Sequence, residues 1–128
     1  MPFVPPKTPD KLSHFYVNMR DIIHIIPKFN AGKATGPDGI SICMLKLCPD
    51  EASYILKVLF ERIIETGVWP EPWKMADVQP VHKKGSRQLV KNYRSISLLP
   101  ISSKILEKNL FDQMYKFFVN NNLISQYQ

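Results

Sequence analysis

Seven basic residues, Lys83, Lys84, Arg87, Lys91, Arg94, Lys104 and Lys108, fall in one stretch that holds a single acid, Glu107. This stretch carries the entire formal charge of +6, so the rest of the chain is balanced. A cationic region on an otherwise neutral domain is the electrostatic footprint of a phosphate-bearing partner. The same charge run also serves as an ordinary solvated face, so charge alone does not decide. Residue type says more. Arginine offers a planar fork to phosphate oxygens and lysine a mobile point charge. Lys83, Lys84, Arg87 and Arg94 together therefore suit a compact triphosphate, and nucleic-acid backbone suits them nearly as well. In KNYRSISLLP, residues 91–100, Arg94 stands between Tyr93 and a run that reads as a buried strand. A buried guanidinium needs a partner. Either that partner lies in the core, or the strand holds Arg94 toward an anion outside the chain.

Other chemistries fail on spacing. GKAT, residues 32–35, suggests a nucleotide-binding P-loop, but Pro27 occupies the first glycine position and Ala34 the magnesium-binding Ser or Thr position. The two cysteines, Cys43 and Cys48, match no zinc pattern and read as reduced thiols. The aspartates, Asp10, Asp21, Asp38, Asp50, Asp77 and Asp112, include no adjacent pair, and none suits two magnesium ions ~4 Å apart. His14, His24 and His82 look unrelated to one another and to any nucleophile. No catalytic residue and no metal ligand is expected.

The elements that position these cations follow from periodicity. The chain has 128 residues, 45% of them hydrophobic and 22% charged, which suits one globular domain. No apolar run approaches the ~18 residues of a membrane helix, and MPFVPPKTPD lacks the layout of a secretion signal. A soluble, intracellular chain (nucleus or cytoplasm) without membrane contact is expected. Residues 1–19 predict a poorly ordered lead-in. Ile22, Ile23, Ile26 and Phe29 predict a short helix capped by Asp21 and limited by Pro27. Gly36-Pro37-Asp38-Gly39 predicts a tight turn, and Ser41–Leu47 a short helix. Ile55, Leu56, Leu59, Phe60, Ile63 and Ile64 predict a core helix capped by Asp50 and stopped at Gly67. Met75–His82 and Tyr93–Leu99 predict two strands, with Pro80 marking an edge and a polar link forming a mobile hairpin tip. A last helix over Ser102–Val119 points Ile105, Leu106, Leu110, Met114, Phe117 and Phe118 inward and ends at Asn120-Asn121-Asn122. The fold class is α+β, with helices packed around a basic two-stranded hairpin.

Four blocks, GKATGPDGIS, GVWPEPWKMADVQPVHKKGS, NYRSISLLPISSKILEK and FFVNNNLISQYQ, follow one another in this order. Together they resemble the reverse transcriptases of non-LTR (LINE-like) retrotransposons, over residues 20–128. The resemblance implies a partial right-hand polymerase, namely an N-terminal extension, the fingers and the start of the palm. It implies that Arg94 holds the triphosphate of the incoming deoxynucleotide with help from Lys83 or Lys84. It also implies that Lys33, Arg87, Lys91 and Lys104 contact nucleic acid. The implied partners are RNA template, DNA primer, deoxynucleotide and the remainder of the polymerase chain. Magnesium is implied for the intact enzyme but not for this segment, which ends before the palm aspartates and is expected to be inactive alone. A non-enzymatic nucleic-acid-binding module and an inactive remnant are the alternatives. Ser95 and Thr35 depart from the family pattern, each replacing a usual proline.

Overall fold

A computed structural model describes residues 10–32 and 34–124. Lys33 lies outside the described residues, as do residues 1–9 and 125–128.

Helix α1 spans Met19–Ile25 and runs into a 3-10 turn over Ile26–Lys28, with Pro27 in its first half. Asp21 is not its cap. Asn18 holds that position, and Asp21 lies in the first turn, where a carboxylate also suits the positive helix end. The next turn forms as expected: the Gly39 amide donates to the Gly36 carbonyl at 3.1 Å, and Gly39 adopts φ +69°. Helix α2 covers Ile42–Leu47, and its N-cap Ser41 accepts from the Met44 amide.

Helix α3, Pro49–Thr66, begins from Cys48 rather than Asp50, because Pro49 takes the first helical position, where its missing N–H costs nothing. Its end is as read: Gly67 is left-handed and its amide donates to Ile63. Leu56, Phe60 and Ile63 are buried, but Ile55 and Leu59 are exposed, so only one side of the expected stripe is covered. Helix α4, Ile101–Asn120, buries Ile105 and Leu106, whereas Met114 and Phe118 are exposed because the core ends near half-buried Leu110. Asn122, at φ +52°, terminates it, and the Leu123 amide reaches back to the Phe118 carbonyl.

The core therefore joins α1, α3 and the first half of α4 around Ile22, Ile26, Phe60, Ile105 and Leu106. Trp73 closes one side, meeting the Phe60 ring edge-on at 6.2 Å and the Trp69 ring at 5.4 Å. Gln113 ties the preceding coil to α4, accepting from the Tyr16 amide and donating to the Tyr16 carbonyl.

Strands β1 (Asp77–His82) and β2 (Tyr93–Leu98) form an antiparallel ribbon with Val81 opposite Arg94 and Pro80 opposite Ser95. Both strands are exposed along most of their length, which corrects two expectations. The run after Arg94 is not buried, and the helices pack on one another rather than around the hairpin. The ribbon is anchored at its base, where Leu98 and Leu99 are half-buried and Pro100 is fully buried. Gly36 packs there so closely that a Cβ would stand 2.6 Å from the Leu99 carbonyl carbon and the Pro100 nitrogen. This contact ties the Gly36–Gly39 turn to the join of β2 and α4.

Candidate anion-binding site on the ribbon

Hydrogen bonding fixes which side chains share a face. The Lys83 amide donates to the Asn92 carbonyl at 2.8 Å, which makes Lys83/Asn92 a hydrogen-bonded pair. Alternation along an antiparallel ladder then assigns Val81/Arg94 and Gln79/Ile96 to the same class, and Pro80/Ser95 to the other. Pro80 thus sits where its missing N–H is not needed. Ser95 faces it at an equally undemanding position, so the departure from the family's proline leaves the ladder intact. Because side chains alternate, Lys83, Val81, Arg94 and Ile96 lie on one face.

These four, with His82, line a shallow recess of about 170 Å3. Val81 and Ile96 form an apolar floor, and Lys83 and Arg94 supply two cations as diagonal neighbours across the strands. Lys84 does not line the recess; it begins the turn beyond the ladder. Arg87 lies at the tip and Lys91 in a 3-10 turn over Val90–Asn92. Lys104 is half-buried in the first turn of α4.

Among the described residues, the ion pairs join Lys57 to Glu61, Lys74 to Glu71 and Lys108 to Asp112. Lys108, which also lies 5.1 Å from the centre of the Phe111 ring, is thereby engaged within α4. Lys83, Lys84, Arg87, Lys91, Arg94 and Lys104 take part in none of these pairs. Arg94 is exposed rather than locked to an internal carboxylate.

The tip between the strands is held by side chains. Tyr93 Oη donates to the Arg87 carbonyl at 2.9 Å, and Asn92 Nδ2 to the Ser86 carbonyl at 2.7 Å. His82 Nε2 lies 3.0 Å from the Gly85 carbonyl, and its ring meets the Tyr93 ring edge-on at 5.4 Å. Gly85, at φ +80°, provides the left-handed turn that brings these groups together. The link is therefore a fastened turn, contrary to the loose tip its polar composition suggests. His82 was missed as part of this site. The available signal was its place immediately before two lysines and a glycine.

No family model matches the chain. Curated proteins do. The RNA-directed DNA polymerase from mobile element jockey of Drosophila melanogaster is 31% identical over 99 residues, which cover 77% of this chain and 11% of the relative. The probable RNA-directed DNA polymerase from transposon X-element of the same organism is 32% identical over 89 residues, covering 69% of this chain and 10% of the relative. That from transposon BS is 26% identical over 113 residues, covering 88% and 12%. The chain belongs with the RNA-directed DNA polymerases of non-LTR retrotransposons. It matches a fragment of such an enzyme and spans about a tenth of the length of the curated relatives.

Polymerases of this family are generally metal-dependent. Among the described residues no three His, Cys, Asp or Glu side chains converge as a donor set, so these residues do not fit the magnesium site of the intact enzyme. No helix among them is long and apolar enough to cross a membrane.

Proposed function

We propose that this segment is the fingers part of its polymerase, with the preceding extension, and that its ribbon binds the triphosphate of the incoming deoxynucleotide. Arg94 forks the phosphate oxygens, and Lys83 adds a point charge from the same face. The apolar floor of Val81 and Ile96 lets the aliphatic stem of Arg94 lie flat while its head stays in water. The observation that carries this reading is the pairing of Arg94 with Lys83 around one recess, with neither in an ion pair among the described residues. The geometry favours Lys83 over Lys84, a choice that the amino-acid sequence leaves open. Arg87, Lys91, Lys104 and Lys33 are assigned to the RNA template and DNA primer. The catalytic carboxylates and their magnesium are assigned to the remainder of the polymerase.

The test is calorimetric titration of a deoxynucleoside triphosphate against the chain and its Arg94→Ala variant. Loss of a charged hydrogen-bonding partner weakens binding about tenfold or more, while the weak association of the unphosphorylated deoxynucleoside stays unchanged. Equal triphosphate affinity in the two proteins would contradict the assignment.

A further inference from the structure

The two outer edges of the ribbon are unlike. In an antiparallel pair, residues that do not exchange ladder bonds turn their backbone N–H and C=O groups outward. On β1 these are Val78, Pro80 and His82, and on β2 they are Tyr93, Ser95 and Ser97. The Tyr93 amide agrees with this assignment, since it donates away from the ladder, to the Val90 carbonyl. Pro80 has no N–H, so the β1 edge lacks its central donor, one of the ways natural sheets guard an open edge. The β2 edge has no such guard. Ser95 occupies the matching position, opposite Pro80, and presents an amide there. Among the described residues the sheet has two strands, Ser95 and Ser97 are exposed, and neither amide has an acceptor.

We propose that the outer edge of β2 is a strand-pairing surface, and that its partner is β2 of a second copy of this chain. Antiparallel pairing about a two-fold axis at Ser95 sets Ser95 opposite Ser95 of the other copy, and Tyr93 opposite Ser97. Four hydrogen bonds result: two between the residues at 95, and two from the Ser97 amides to the Tyr93 carbonyls. The Tyr93 amide, already engaged by Val90, is not needed. Side chains permit the approach. Serine meets serine at the axis, and each Arg94 lies opposite Ile96, whose aliphatic surface suits the arginine stem. The two-fold arrangement is also closed: it yields a four-stranded sheet with a Pro80-guarded strand on each outer edge, so pairing stops at two molecules. The inference does not rest on the phosphate reading, because pairing uses the plane of the ribbon and the recess lies on its face. Charge opposes association, since each chain carries +6, and screening by salt favours it.

The experiment is sedimentation equilibrium of the full 128-residue chain over rising concentration, at raised salt. Reductant is present because Cys43 and Cys48 are free and exposed. The variants are Ser95→Pro and Ser95→Ala. The unaltered chain should rise from the mass of one chain toward that of two and no further. S95A keeps the amide and should associate nearly as well. S95P loses two of the four bonds and should associate at least about tenfold more weakly. Residue-resolved amide exchange locates the contact. The Ser95 and Ser97 amides should exchange more slowly as concentration rises, while those of Val78 and His82 on the guarded edge should not change. S95P associating as tightly as S95A overturns the proposal, as does association that leaves Ser95 and Ser97 unprotected. A chain that stays monomeric at every concentration overturns it too, whatever other extended segment the edge accepts. If S95P does not fold, amide exchange in the unaltered chain still decides.

Discussion

Phe60 and Arg94 mark two regions built on opposite principles. Around Phe60, which is fully buried, residues from α1, α3, α4 and the segment at Trp73 pack into one apolar cluster, and among the described residues none of the buried ones is charged. Around Arg94, two strands lie open to solvent on most of their length, held by their own ladder and by three side chains that fasten the tip. The first region supplies stability and has no evident chemistry. The second contributes little burial and gathers cations that no ion pair among the described residues neutralises. On the proposed reading, folding and binding are separated along the chain, and substitutions should sort cleanly into one kind or the other.

The largest effect is expected in the core. Replacing Phe60 with Ala removes a fully buried ring that contacts Trp73, and should cost about 3–5 kcal/mol in chemical denaturation. That is a large share of the stability of a domain of this size. A smaller loss should break the comparison at its join. Gly36→Ala places a Cβ against the backbone at Leu99 and Pro100, where the ribbon meets the helices, and should cost about 1–3 kcal/mol through overpacking. Unchanged stability there would mean that ribbon and core are not coupled at that contact. The smallest effect belongs to the ribbon interior. Ser95→Pro restores the proline of the family pattern at a position whose N–H does not serve the ladder. It should change the unfolding free energy by no more than about 0.5 kcal/mol, as an ordinary surface change does. A loss comparable to that of G36A would contradict the register argument.

The same contrast explains what could be read from the sequence. Helix α3 was legible because apolar spacing and the Gly67 stop agree, and the Gly36–Gly39 turn because proline and glycine each demand their own geometry. The two caps were misread for one reason. Asp21 and Asp50 sit in first turns, where a carboxylate is favourable just as it is at the cap, so residue type cannot separate neighbouring positions. Strand β2 looked buried because Ile96 and Leu98 alternate correctly; alternation reports a shared face, not what covers it. Met114 and Phe118 continue the helical pattern of α4 past the point where neighbouring elements end. In the site, the parity of Arg94 with Ile96 and Leu98 was readable. Lys83 and Lys84 could not be told apart, because one hydrogen bond to Asn92 decides which of them is still on the ladder. The contact at Gly36 and the fastening by His82 join residues through the fold and leave no local pattern.

The central claim is that Lys83 and Arg94 act as one site while Lys84 stands apart. Calorimetric titration of a deoxynucleoside triphosphate against Lys83→Ala and Lys84→Ala, side by side with the unaltered chain, tests it most directly. Both variants lose one lysine, so the overall charge effect is the same for each. The expected result is a several-fold weaker affinity for K83A, roughly the worth of one exposed ion pair, with K84A close to the unaltered chain. Equal losses in the two variants, or a larger loss in K84A, would show that the ribbon attracts phosphate by bulk charge and has no specific recess.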